Sequence, residues 1–141
     1  MTWAANPFSN PHRAAQAYAR VGVETGVAGA NPHRLVLMLF DGALKSLSEA
    51  RGHMQRREIP AKGAALSRAI QIIEEGLSAS LNDPEGGGLA EQLKELYAYM
   101  TRRIVFANLK SDPRVLEEVA TLLRELRGAW DSIGERAGAG G

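Results

Sequence analysis

Cysteine is absent from the 141 residues, which excludes a disulfide framework and a cysteine nucleophile and suits a cytoplasmic setting. Net charge is almost absent too. Seventeen Lys and Arg against sixteen Asp and Glu leave a formal +1, too little for a long-range field that would draw in nucleic acid or an anionic membrane. No window approaches the roughly 18 apolar residues of a membrane span, and no cationic stretch followed by an apolar one marks a secretory signal. The expected location is the cytosol, without membrane insertion. Strand-like alternation and any fixed repeat beyond the helical one are missing as well. What is present, 45% hydrophobic and 23% charged residues, suits one soluble globular domain with a single core.

The rest of the chain is organised around the stretch from Asn31 to Phe40. Asn31 is a good N-cap, and Pro32 suits the first helical position, where a missing N–H costs nothing. Six apolar side chains, Leu35 to Phe40, follow without interruption. Six residues step through more than a full turn, so this part of the helix is apolar all round. Either its own protein encloses it, or a second apolar face waits for a partner.

The spacing predicts a first helix from Pro32 to about Met54, with Val36, Phe40, Ala43, Leu47, Ala50 and Met54 three and four apart. A second follows Pro60, with Leu66, Ile70, Ile73, Leu77 and Leu81 on one line and the smaller Ala65, Ala69, Ile72, Gly76 and Ala79 on another. Asn82 to Gly88 reads as a break, mobile at its three glycines. A third helix spans about Leu89 to Lys110, with Leu89, Leu93, Leu96, Met100, Ile104 and Ala107 inward and Tyr97, Tyr99, Val105, Phe106 and Leu109 left over. Asp112 and Pro113 start the fourth, which carries Leu116, Val119, Leu123, Leu126, Trp130 and Ile133. Four helices of about 20 to 24 residues with short connections predict an all-α fold, an antiparallel four-helix bundle over residues 31–134. Ahead of it, residues 1–13, rich in Asn, Ser and Pro, read as a flexible arm. Residues 14–30 read as a short lid helix and a Gly-containing connection. Ala14 to Val21 is shorter than the about 12 to 15 residues an isolated helix needs, so it is helical only when docked through Tyr18, Val21 and Val23, and it can detach. Residues 135–141 read as a disordered tail.

No catalytic or cofactor motif is visible. His12, His33 and His53 have no glutamate three residues before them, as metal-binding bundles with Glu-x-x-His would require. Glu49 and His53, four apart, read as an exposed ion pair rather than a ligand set. Gly86 to Gly88 has no preceding strand and no Lys-Ser/Thr after it, so it is a connector and not a phosphate loop. Nothing places a serine on a strained elbow. In Arg56-Arg57 and Arg102-Arg103, adjacent side chains point about 100° apart, so no basic face forms, and one arginine of each pair is expected in a salt bridge. The chain reads as a binding module and not an enzyme, without cofactor, metal or nucleic acid. Apolar groups in excess on the first and third helices, beside an aromatic arm, fit the binding of a partner's amphipathic or extended segment. The arm would cover the channel while it is empty.

Several motifs in this order carry a family resemblance: Ala17-Tyr18, Val23 with Glu24-Thr25, Ala30 to Leu35, Met38-Leu39-Phe40-Asp41-Gly42-Ala43, Leu96 to Arg103, Ala107 to Asp112, Glu117-Glu118-Val119, and Ala129-Trp130. Together they resemble the FliS family of flagellar export chaperones, in its proteobacterial branch. The resemblance implies a cytoplasmic chaperone that binds the C-terminal segment of flagellin, prevents its premature polymerisation and delivers it to the type III export apparatus of the flagellum. Its implied partners are that segment, the cytoplasmic domain of the export-gate protein FlhA and, in some relatives, an anti-sigma factor; another flagellar or secreted client is the alternative. Carried residue by residue, the lid and export-gate contact falls on Tyr18 and Val23. The client groove falls on Leu35, Met38, Leu39, Phe40, Tyr97, Met100 and Arg103, with Asn108 and Asp112 at a structural turn. Replacing Leu39 with Asp would then weaken client binding while the helices persist. Phe40 stands where many relatives carry tyrosine, and the extension with Trp3 and Phe8 is longer than typical of the family.

Overall fold

The computed structural model describes the backbone of residues 31–81 and 83–140, and the side chains of 31–81 and 88–134. The arm over 1–13, the lid helix and connection over 14–30 with Tyr18 and Val23, and the single residues Asn82 and Gly141 lie outside the described residues. Among the described residues four helices make up the fold: α1 (Pro32–Gln55), α2 (Ile59–Gln71), α3 (Asp83–Lys110) and α4 (Pro113–Gly140), with α2 running on as a π-helical stretch, Ile72–Ser78. No strand occurs among the described residues, and the architecture is an all-α bundle.

Local chemistry accounts for the helix ends. The Asn31 side chain accepts a hydrogen bond from the Arg34 amide at 2.8 Å, and Pro32 follows as the first helical residue. α1 stops at Arg57, whose φ of 59° is left-handed. There the Glu58 amide donates to the His53 carbonyl at 2.9 Å and the Arg57 amide to the Met54 carbonyl at 3.2 Å, a Schellman turn. α3 ends the same way: Ser111 has φ 49°, and the Asp112 amide reaches the Ala107 carbonyl at 3.1 Å. Asp112 then caps α4 by accepting from the Arg114 amide at 3.0 Å. Both turns use a residue with a Cβ where glycine is usual.

Connections of three residues between α1 and α2, and of two between α3 and α4, make each pair antiparallel neighbours. α1 packs along α2 and α4, and α3 packs along α4 and the π-helical stretch, so α1 and α3 lie diagonally across the core. That core is centred on Leu39, Phe40, Leu66, Ile73, Tyr97 and Leu123. Around Ile72–Ser78 the wider turn presents neighbours in pairs, so Ile72 with Ile73 and Gly76 with Leu77 are all buried. The apolar line and the small line expected on separate faces of this helix therefore merge.

Leu89 and Ile133, expected on the inward lines of α3 and α4, are 52% and 44% exposed, near the helix ends where the bundle gives them little to pack on, and two helix boundaries also differ from expectation. The break was expected to run to Gly88, yet α3 begins at Asp83 and passes through the glycines. Pro84 falls in the first turn, where proline is tolerated, and helix already nucleated carries three glycines at about 1 kcal/mol each. The tail expected to be disordered from residue 135 is instead backbone helix to Gly140, an extension that adds a hydrogen bond per residue without new nucleation.

Candidate functional site

Of the seven residues expected to line a groove, Leu35, Leu39, Phe40, Tyr97 and Met100 are buried in the core. Met38 packs partly buried against it, and Arg103 is 33% exposed. Asn108 is exposed, and its carbonyl accepts from Lys62 at 3.1 Å. Asp112 is the cap of α4, in keeping with a structural turn. The apolar excess of α1 is thus absorbed, because α2 and α4 pack along it more extensively than any helix packs along α3.

The excess on α3 is not absorbed. Val105, Phe106 and Leu109 are 49%, 39% and 78% exposed, on neighbouring turns of its outer face. Between Glu95 and Asp112 the sequence has no acidic residue, while Arg102, Arg103 and Lys110 all lie there. Arg103 is held: its Nε donates to Glu118 Oε1 at 2.9 Å, and its guanidinium lies 5.0 Å from the centre of the Phe106 ring. The Tyr99 hydroxyl donates to the other carboxylate oxygen at 2.5 Å. These bonds, the tyrosine's first and then the arginine's, lower the Glu118 pKa, and the same bond raises that of Tyr99. Arg102 and Lys110 have no ion pair among the described residues. One arginine of each adjacent pair is bridged, as expected: Arg103 to Glu118 and Arg56 to Glu58, the latter at 2.9 Å. His53 also turns to Glu58, at 2.7 Å, and not to Glu49.

A second open feature lies between α1 and α4. A cleft of about 380 Å³ is walled by Leu44 and Leu47 from one helix and Leu116 and Ala120 from the other. Across its rim, Glu117 is shared by Arg124, at 2.6 Å, and Arg51, at 3.5 Å. Glu117 and Glu118 are adjacent on α4, so one carboxylate faces the α1 side and its neighbour the α3 side. Nearer the other end of the same two helices, Arg127 holds Asp41 with two hydrogen bonds, of 2.6 and 3.3 Å. Beyond it the Trp130 indole donates to the His33 carbonyl at 3.0 Å and stacks on the imidazole at 4.6 Å. Burial lowers the His33 pKa, partly countered by Asp131. A Cβ at Gly134 would overlap that imidazole.

Of the interior polar groups that the sequence pattern did not place, Lys62 and the Tyr97 hydroxyl differ most from their surroundings. Lys62 is 4% exposed, and its ammonium donates to the Asn108 carbonyl and to Ser111 Oγ, at 3.1 and 2.8 Å, sitting on the negative end of α3. The signal was there, since Lys62 stands four residues before Leu66, in phase with the core. The Tyr97 hydroxyl is buried without a hydrogen-bond partner among the described residues, and burial pushes its pKa up.

Among the described residues no helix is long and apolar enough to cross a membrane, and no group of three His, Asp or Glu is placed to hold a metal ion. The family model described as Flagellar protein FliS matches residues 14–137. The chain is 48% identical over 122 residues to the Flagellar secretion chaperone FliS of Salmonella typhimurium, covering 86% of this chain and 90% of that one. It is 45% identical over 121 residues to the Flagellar secretion chaperone FliSB of Pseudomonas aeruginosa (86% and 95% covered). With the Flagellar secretion chaperone FliS of Bacillus subtilis it shares 33% over 139 residues (95% and 97% covered).

Proposed function

Since the chain belongs to the FliS family of flagellar secretion chaperones, we propose that it binds the C-terminal segment of flagellin in the cytosol, keeps it from polymerising early and delivers it to the export gate. The observation that carries the client site is the exposed row Val105, Phe106 and Leu109 on α3, apolar surface that the bundle leaves uncovered. An amphipathic client segment lays its own apolar side chains on this row. Burial at about 25 cal/mol per Å² drives binding, offset by the cost of ordering the client. Arg103, fixed by Glu118 over Phe106, borders the row and is the residue of the expected groove that is retained as a contact. Met38 is retained only as a partly covered neighbour of the core. The client reading does not require Leu39, Phe40, Tyr97 or Met100 to leave the interior. Tyr18 and Val23 are kept in the proposal as contacts to the lid site and to the cytoplasmic domain of FlhA. Binding is stoichiometric, with no nucleotide and no chemical step.

Calorimetric titration with a synthetic C-terminal segment of the same organism's flagellin tests this reading. Saturable one-to-one binding with a negative heat-capacity change is expected. No heat at several temperatures, with the protein shown to be folded, would overturn flagellin as client and leave another flagellar or secreted protein in its place.

A further inference from the structure

The formal charge of +1 for the whole chain conceals a division between the two ends of the bundle. One end is built from the α1–α2 and α3–α4 turns. Lys62 staples them together, its buried ammonium reaching from the first turn of α2 to the Asn108 carbonyl and to Ser111 Oγ. Around this staple, residues 55–60 and 108–111 are exposed one after another, and the Arg114 side chain is 91% exposed. Arg56, Arg57, Lys110 and Arg114 stand here against two carboxylates, Glu58 and Asp112. Both carboxylates are already engaged: Glu58 is bonded to Arg56 and His53, and Asp112 caps α4. Arg57 and Lys110 have no ion pair among the described residues, and Arg114 reaches Asp112 only at 3.5 Å. Amid these cations Ile59, the first residue of α2, is 57% exposed. At the opposite end of the bundle Glu74, Glu75 and Asp131 outnumber Arg34.

We propose that this end of the bundle is a peripheral contact for an anionic phospholipid surface, with Arg57, Lys110 and Arg114 on headgroup phosphates and Ile59 seated between the headgroups. The contact does not depend on the client reading. Charge complementarity calls for an anionic partner, and the shape of the face selects among such partners. A peptide needs a groove or an open edge to lie in, whereas this face consists of two turns exposed residue after residue. Cations contributed by separate turns, and not by one helix face, suit an extended anionic plane. Ile59 decides against nucleic acid, since an aliphatic side chain gains nothing from a phosphate backbone but is accepted at the headgroup boundary of a bilayer beside Lys and Arg. The acidic end of a second copy has the right charge but too little area. An end face about 20 Å by 20 Å buries about 800 Å² in total, below the about 1,200 Å² of a stable pair. Each Lys or Arg brought within a Debye length of an anionic leaflet is worth roughly fivefold in partitioning. Three cations and one aliphatic side chain therefore give a weak, reversible and salt-sensitive contact, without insertion of a helix.

Vesicle sedimentation tests this. The full chain is mixed with vesicles of phosphatidylglycerol in phosphatidylcholine and with vesicles of phosphatidylcholine alone, at low and at high salt. Partition into the anionic vesicles only, lost at high salt, is the expected result. Arg57→Gln, Lys110→Gln and Arg114→Gln each lower it roughly fivefold, and the triple variant roughly a hundredfold. Ile59→Ser lowers it about three- to tenfold. Arg34→Gln, which removes a cation from the opposite end, leaves it unchanged. All five side chains are exposed, so thermal melts of the variants should match that of the unaltered protein. No partition into anionic vesicles, partition that survives high salt, or equal losses in Arg34→Gln and the triple variant would overturn the proposal. A protein that ignores the vesicles but binds polyglutamate or a duplex oligonucleotide through the same three cations overturns it as well, and makes the partner an acidic protein or a nucleic acid.

Discussion

The N-terminal third of α1 and the C-terminal third of α3 carry the same sequence signal, more apolar side chains than one helical stripe can use, and the fold treats them in opposite ways. On α1, five of the six residues from Leu35 to Phe40 are buried. On α3, Val105, Phe106 and Leu109 stay in the open. Count and spacing of apolar residues do not separate the two cases. Charge does not separate them either, since neither Leu35 to Phe40 nor Val105 to Leu109 is interrupted by an ionisable residue and both are flanked by charged ones, Arg34 and Asp41 in one case, Arg103 and Lys110 in the other. Neighbours do: α2 and α4 pack along α1 and enclose its run, whereas α3 is packed less extensively and its outer face is left in water. An apolar row left open beside cations can still receive a partner.

The sharpest way to break the comparison is to put the same charge into each region. Leu39→Asp leaves a carboxylate in the middle of the core with nothing to pair with, and the expected loss, about 4 kcal/mol or more, unfolds the bundle. The sequence led to the opposite expectation, helices intact and binding weakened. Full burial of Leu39 is the reason for the reversal. Leu109→Asp costs the fold less than about 0.5 kcal/mol, because the side chain is 78% exposed, and it weakens the flagellin segment about tenfold. Circular dichroism melts and titrations on both variants check the pair. A folded Leu39→Asp protein, or a Leu109→Asp protein that binds normally, would erase the distinction.

Next in size is the closure of the α1 end by α4. Gly134 gives the His33 imidazole its room, and the imidazole in turn stacks on Trp130, whose indole is bonded to the His33 carbonyl. Gly134→Ala forces the ring out of that stack, a loss set against the about 1 kcal/mol that alanine gains over glycine inside a helix, so the net loss expected by urea denaturation is about 0.5 to 2 kcal/mol. A neutral result would mean that the enclosure of Leu35 to Phe40 does not depend on this contact.

Legibility follows the range of the forces involved. The Asn31 cap, Pro32, and the Asp112-Pro113 start are chemistry within four residues, and each was readable. So was the bundle, because helical periodicity and short connections leave few alternatives. The division of Leu39, Phe40, Tyr97 and Met100 from Val105, Phe106 and Leu109 was not readable, since it depends on which neighbours a helix acquires. Lys62 was hidden by its charge, although its phase was that of a core residue, because the acceptors that keep it lie 46 and 49 residues away. The pairing of Glu117 with Arg51 and Arg124 likewise joins helices that no local pattern connects.

Within α3 itself the inner face gives a smaller effect, of opposite sign. The Tyr97 hydroxyl is buried without a partner among the described residues, which leaves its desolvation cost without a hydrogen bond to offset it there. Tyr97→Phe removes only the oxygen and should raise stability by about 1 kcal/mol, with the flagellin segment bound as before. A loss of stability would show that the hydroxyl has a partner in the folded state, and a loss of binding would bring Tyr97 back to the client site.

The two helices being compared also end in the same unusual way, which yields the finest test. Arg57 closes α1 and Ser111 closes α3, each with a Cβ in the left-handed region. Glycine takes that conformation without the clash but loses more freedom on folding, so the net gain is about 0.5 to 1 kcal/mol. Arg57 makes no described side-chain bond, so Arg57→Gly should show the whole gain by urea denaturation. Ser111 differs because its Oγ accepts from the buried Lys62 ammonium at 2.8 Å. Ser111→Gly wins the same backbone relief and strips one acceptor from a charge with little access to water, which costs about 1 to 2 kcal/mol. The expected result is a stabilised Arg57→Gly protein beside a Ser111→Gly protein that is unchanged or weaker. If both gain equally, Lys62 draws its hold on α3 from the Asn108 carbonyl alone.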